Sequence, residues 1–161
     1  MMEGVVLVRP GEVRTGKEKD VLATLGLGSC VAVALHDPVE KIGALCHAML
    51  PTPIPGRSAE PTGRFASLAV PALVQSVIEA GADRARLEAR VVGGATMFGA
   101  LAGDAEAIGT RNVRAARAAL EALDVPVLSE DVGGTFGRSV YFNVGDGQIE
   151  VRSVHRGMRV L

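Results

Sequence analysis

Two apolar runs of strand length stand out along the chain, residues 24–36 and 42–50, separated by Asp37-Pro38-Val39-Glu40-Lys41. Proline and charge between such runs are turn chemistry, so the pattern predicts a β-hairpin. Directly opposed residues of an antiparallel pair mirror one another about the turn, and their side chains leave the same face. About the Pro38/Val39 junction, Cys30 mirrors His47, and a loop longer by a residue or two leaves them diagonal neighbours. Cys46 has the opposite parity, so it is predicted on the other face of the sheet.

The remaining pattern supplies the surroundings. Gly4-Val5-Val6-Leu7-Val8-Arg9 reads as a short buried strand, residues 13–20 as a loop or edge hairpin, and Val21-Leu22-Ala23-Thr24 as the return into the sheet. Residues 52–63 are dense in Pro and Gly without periodicity, which predicts a surface loop that walls one side of a site. Ser67 is placed to N-cap a helix to Ala80, with Pro71 at its fourth position, Gly81 as its stop, and Leu68, Leu73, Val74, Val77 and Ile78 as its apolar stripe. Leu87 to Val92 reads as a strand leading to Gly93-Gly94. Thr110 or Asn112 opens a second helix that turns Val113, Ala116, Leu120 and Leu123 inward. Val125 to Leu128 returns to strand character, Asp131 to Arg138 is a glycine-rich turn, and residues 139–144 and 148–152 form a second hairpin about Gly145-Asp146-Gly147. This order predicts an α+β protein: a mixed, mainly antiparallel sheet with two covering helices.

Composition narrows the function classes. With 161 residues, 48% of them hydrophobic, the chain is long enough for one core and short for two, so residues 1–161 are expected to form one soluble domain. A formal charge of -1 offers nothing to nucleic acid or to an anionic membrane, and 3% aromatics without Trp removes the stacking platforms of single-strand binders. No apolar run reaches the roughly 18 residues of a membrane span, and the opening Met1-Met2-Glu3-Gly4-Val5 has no basic leader segment, so the expected compartment is the cytoplasm. Two cysteines make no disulfide framework at this length.

The candidate chemistry lies in the first hairpin. An imidazole beside a thiol activates it as a nucleophile and is expected to lower its pKa below about 8.5. Taken alone, Cys30 reads slightly better as a small buried hydrophobe, the commonest fate of cysteine, and Thr24 as an ordinary β-branched strand residue. Position favours chemistry: the Gly26-Leu27-Gly28-Ser29 approach leaves room for a ligand and frees backbone N–H groups near Cys30 for a developing oxyanion. The Thr24 hydroxyl is then available to orient His47. The backbone of Gly28, Ser29, Gly93 and Gly94 is expected to contact the substrate, although turn glycines explain Gly93-Gly94 equally well. Cys46 reads as core, and His36 and His155 as solvated. A metal site from Cys30, Cys46, His36 and His47 scatters its ligands over two faces, without CxxC or HxxxH spacing, and no cofactor is called for.

Five blocks in order resemble the CheD family: Thr24 to Val33, His47-Ala48-Met49-Leu50-Pro51, Gly93-Gly94-Ala95-Thr96-Met97-Phe98, Ile108-Gly109-Thr110-Arg111-Asn112, and Asp131-Val132-Gly133-Gly134 with Gly137-Arg138. The resemblance implies a cysteine hydrolase that deamidates chemoreceptor glutamines in bacterial chemotaxis, with Cys30, His47 and Thr24 at the family's catalytic positions. It also implies a layered α/β sandwich similar to that of deamidating cysteine-hydrolase toxins, the cytoplasmic domains of chemoreceptors as partners, and regulation by CheC. Hydrolysis of glutamate methyl esters is a related expectation, and a receptor- or CheC-binding adaptor without turnover is the alternative. Ala48 stands where an aromatic often follows the histidine, and Phe65-Ala66-Ser67 where Tyr-Ala-Asp is usual; both departures touch the walls of the site.

Overall fold

The computed structural model describes residues 4–97 and 106–161. Phe98, on which one block ends, and Met1 to Glu3, on which the leader reading rests, lie outside them.

Among the described residues, ten strands and two α-helices follow in the order β1 (Val5–Leu7), β2 (Val13–Lys17), β3 (Val21–Leu27), β4 (Val31–Asp37), β5 (Ile42–Ala48), α1 (Ala66–Glu79), β6 (Glu88–Gly93), α2 (Ile108–Ala122), β7 (Val127–Val132), β8 (Arg138–Asn143), β9 (Ile149–Ser153) and β10 (Gly157–Val160). They form two five-stranded sheets, β1-β3-β8-β9-β10 and β2-β5-β4-β6-β7. The β1/β3 and β6/β7 pairs are parallel and the rest antiparallel. The α+β class stands as expected, with the strands divided between two sheets. No helix among the described residues is long and apolar enough to cross a membrane.

The second sheet is the middle layer, and its composition explains why. Every residue of β4 and β5 is buried, as expected for strands packed on both faces, which read as continuous apolar runs. Parity divides them: Val31, Val33, Leu35, Ala44, Cys46 and Ala48 pack against α1 and α2, while Ala32, Ala34 and Leu45 pack against Leu22, Val140, Phe142 and Ile149 of the other sheet.

Several local expectations shift. The β4/β5 register sets His47 opposite Ala32, two residues from the expected mirror, because Pro38 to Lys41 forms the loop and Lys41 takes φ 54°. Val13–Lys17 is an edge strand on β5 despite its charge. Helix α1 starts at Ala66, and Ser67 does not cap it: main-chain carbonyls of Leu50 and Pro51 accept from the N–H groups of Ala66 and Ser67. Its buried stripe is Ala69, Val70, Leu73, Val74 and Val77, and Ile78 faces solvent. Asn112 sits inside α2 and not at its start. His36 is buried, donating from Nε2 to the Val144 carbonyl at 2.7 Å with its ring edge-on to Phe142, whereas His155 is exposed as expected.

Candidate active site

Three elements converge between the sheets. Thr24 comes from β3 of the outer sheet, His47 from β5 of the middle sheet, and Cys30 from the turn that carries the chain from one to the other. Thr24 and His47 are fully buried, and Cys30 is half-buried against the inter-sheet core, the side to which His47 also points. Cys46 lies on the helix side, so parity separates the two thiols as expected.

Hydrogen bonding fixes the state of the imidazole. Thr24 Oγ1 lies 2.6 Å from the Val8 carbonyl and 2.7 Å from His47 Nδ1. A carbonyl only accepts, so the single hydroxyl proton of Thr24 goes to Val8 and its lone pair must accept from Nδ1–H. Neutral His47 therefore carries its free lone pair on Nε2. Burial also lowers the His47 pKa from the ordinary 6.5, which keeps the ring neutral at pH 7.

The thiol behaves differently from the expectation. Burial raises the Cys30 pKa above its ordinary value, opposed by its own backbone N–H, and no hydrogen bond joins Cys30 to His47 among the described residues. The resting pair is a thiol and a neutral imidazole. Cys46, wholly inside the core, is pushed up to about 12 and is chemically inert at pH 7.

Behind the cysteine, the Gly28, Ser29 and Cys30 carbonyls are all tied down. Ala95 N–H donates to Gly28 at 2.9 Å, Asn112 Nδ2 to Ser29 at 2.8 Å, and Gly94 N–H to Cys30 at 2.8 Å. Gly93 has φ 113°, and a Cβ there would run into the Cys30 carbonyl. Gly93 and Gly94 are thus buried against the back of the turn, where they touch its main chain, while Gly28 and Ser29 remain partly open to solvent. The 52–63 loop lies largely on the surface. An open cleft of about 270 Å³ is lined by Gly26, Met97, Phe136, Arg138, Arg152 and His155. It holds neither Cys30 nor His47, and it meets their turn where a side chain at Gly28 would touch Met97.

Sequence reasoning missed Val8, whose contribution is a carbonyl without a side-chain signature. It also missed Asn112 as a site-facing group, although Gly109, Asn112, Val113, Ala116 and Leu120 share one helical stripe, which marks Asn112 as a polar residue on a buried face.

Residues 49–153 match the family model described as CheD chemotactic sensory transduction. The chain is 38% identical over 162 residues to the probable chemoreceptor glutamine deamidase CheD of Desulfitobacterium hafniense (strain DSM 10664 / DCB-2), covering 99% of this chain and 100% of that protein. It is 43% identical over 147 residues to the chemoreceptor glutamine deamidase CheD of Thermotoga maritima, covering 91% of this chain and 90% of that one. These alignments extend well before the family-model match, which begins after His47. The crystal structure of the Bacillus licheniformis hypothetical protein YfiH is similar in fold, with a TM-score of 0.50 at 13% identity over 74% of this chain and half of that one. Full-length relatives together with the matched segment establish that the chain belongs to the CheD family.

Proposed function

We propose that this protein deamidates glutamine side chains of chemoreceptors, with Cys30 as nucleophile, His47 as general base and acid, and Thr24 as the group that orients His47. The observation that carries the mechanism is the Val8–Thr24–His47 relay, which leaves the Nε2 lone pair free. Nε2 takes the Cys30 thiol proton as sulfur attacks the carboxamide carbon, and the carbonyl oxygen becomes an oxyanion. The intermediate collapses, Nε2–H gives its proton to the departing nitrogen, and ammonia leaves a glutamyl thioester. Nε2 then takes a proton from water, hydroxide attacks the thioester, and glutamate and the thiol are released. A glutamate methyl ester presents the same acyl carbon with methanol as its leaving group.

Receptor cytoplasmic domains are the partners in this reading, CheC is a regulator, and the cytoplasm is the compartment. The likeness to deamidating toxins implied by the sequence blocks belongs to the same reading. Ammonia release from a receptor cytoplasmic fragment tests it: wild type turns over, and Cys30→Ala and His47→Ala do not. Binding of the fragment without ammonia release by wild type would leave an adaptor in place of an enzyme.

A further inference from the structure

The β4/β5 ladder ends at Val31 paired with Ala48, one step short of Cys30. Where the ladder stops, Asn112 Nδ2 donates to the Ser29 carbonyl at 2.8 Å and to the Met49 carbonyl at 3.1 Å. Both partners are acceptors, so the orientation of the amide is fixed: its NH₂ group must face them. Asn112 is fully buried in the interior of α2, a place that disfavours asparagine both by helix propensity and by desolvation.

The two bonds have a geometric consequence at the nucleophile. A trans peptide is planar, with its C=O and N–H pointing in opposite directions. Fixing the Ser29 carbonyl against Asn112 therefore turns the Cys30 N–H to the other side of the turn, away from α2. Gly28 is held in the same way by Ala95, which turns the Ser29 N–H outward too. No hydrogen bond to another residue takes the N–H of Ser29 or Cys30 among the described residues. Both belong to partly exposed residues of the turn that bears the nucleophile.

We infer that Asn112 is a positioning residue: it sets the plane of the Ser29–Cys30 peptide so that the Cys30 N–H, with that of Ser29, receives the oxyanion formed on the substrate amide. This rests on the reading of Cys30 as nucleophile, and it assigns to the second helix a role in the transition state that neither Thr24 nor His47 fills.

The test separates acyl transfer from thiol reactivity. Alkylation of Cys30 by iodoacetamide needs the sulfur but develops no oxyanion, whereas deamidation needs both. Asn112→Ala and Asn112→Asp are expected to lower kcat for ammonia release roughly 10- to 100-fold, less than the roughly 100- to 1,000-fold of removing an oxyanion donor outright. KM and the Cys30 alkylation rate should stay within about threefold of wild type. Protection of Cys46 from the same reagent reports the intact core. If Asn112→Ala exposes Cys46, Asn112→Ser, which retains one donor, is used, and the same split is expected at smaller amplitude. In wild type, a glutamine-derived peptide aldehyde that adds to Cys30 should move the Cys30 amide proton downfield by NMR. Undiminished kcat in the Asn112 variants, a parallel loss of alkylation and turnover with Cys46 still protected, or an unmoved Cys30 amide each overturns the assignment. Ammonia release by Cys30→Ala would instead overturn the nucleophile itself.

Discussion

Replacing Thr24 by valine perturbs the relay at its centre without changing its shape. Thr24→Val leaves the Val8 carbonyl and the Nδ1–H of His47 facing a methyl group, both within the buried region between the sheets. Each buried polar group left without a partner costs roughly 1–3 kcal/mol, so the two together predict a stability loss of roughly 2–6 kcal/mol. For a chain of this length that is a fall in Tm of roughly 4–24 °C. The imidazole also loses the bond that selects its tautomer and aims Nε2. About 1.4–2.7 kcal/mol of lost transition-state stabilisation corresponds to a 10- to 100-fold drop in kcat. Thr24→Ser keeps the hydroxyl and removes one methyl, which predicts a loss of about 1 kcal/mol with kcat within about threefold of wild type. Thermal melts and ammonia release from a receptor fragment, measured below each variant's Tm, read both quantities. Wild-type kcat in Thr24→Val, or equal slowing in Thr24→Ser and Thr24→Val, refutes the hydroxyl relay.

Four further outcomes follow from the same geometry. Cys30→Ala abolishes deamidation while Cys46→Ala keeps most of it, and mass spectrometry of the alkylated native protein should find label on Cys30 and little on Cys46; label at equal rates means the parity is wrong. Because burial lowers the His47 pKa, the base is lost only when pH falls below the ordinary 6.5, so the acid limb of kcat lies under that value; a limb above it contradicts a neutral buried ring. For Asp37, burial alone would raise the carboxyl pKa, but Arg86 and the N–H groups of Asp83, Glu40 and Val39 override it and hold it well below the unfolded value of about 3.9. Its contribution to stability is therefore complete above about pH 4 and lost as pH falls through the folded value, and an acid-side slope in Tm that survives unchanged in Asp37→Asn removes it as the cause. Phe136, bracketed by Arg138 at 4.2 Å and Arg156 at 5.1 Å at the mouth of the adjoining cleft, should raise KM several-fold with kcat intact when replaced by alanine; an unchanged KM takes that cleft out of substrate binding.

The part of the site that depends on period was legible in the sequence. A strand alternates strictly, so a loop misjudged by two residues moves His47 from Cys30 to Ala32 and leaves every side chain on the same face. That is why the shared face of Cys30 and His47, and the separation of Cys46 from it, followed from spacing. The partition into two sheets was not legible: β3 and β4 read as one apolar run through Gly26 and Gly28, yet the chain changes sheets there, and Thr24 reaches His47 across the layers. Short edge strands were harder to read: β2, left open as a loop or edge hairpin, carries Arg14 and Lys17, and β10 is exposed along its length, so neither shows a continuous buried face. The thiol pKa ran against the expectation since proximity to an imidazole says nothing about burial, and burial prevails at Cys30.

The sequence blocks that carry the family resemblance are separate in the chain but form successive supports around one turn. Gly94 and Ala95 bond the carbonyls of Cys30 and Gly28 directly, and Asn112 bonds that of Ser29. Gly109 lies so close to Gly94 and Ala95 that a side chain there would collide with their carbonyls, which fixes α2 against the glycine turn. Outside these, Gly133 N–H donates to the Gly93 carbonyl at 2.9 Å and Thr96 N–H to that of Gly134 at 2.9 Å. The buried Arg138 then ties β8 to Asp131 of β7 across the two sheets at 3.1 Å. Main-chain bonds dominate this arrangement, so its demand on sequence is chiefly for glycines that permit close approach, with Asn112 and the Arg138–Asp131 pair as the side chains it uses. In the proposed mechanism, a cysteine held through its own backbone presents thiol and amide together in a fixed relation, while His47 and Thr24 are supplied by the flanking sheets. On that proposal the resting thiol and neutral imidazole need no preformed ion pair: rigid placement would let proton transfer accompany attack once a carboxamide is seated.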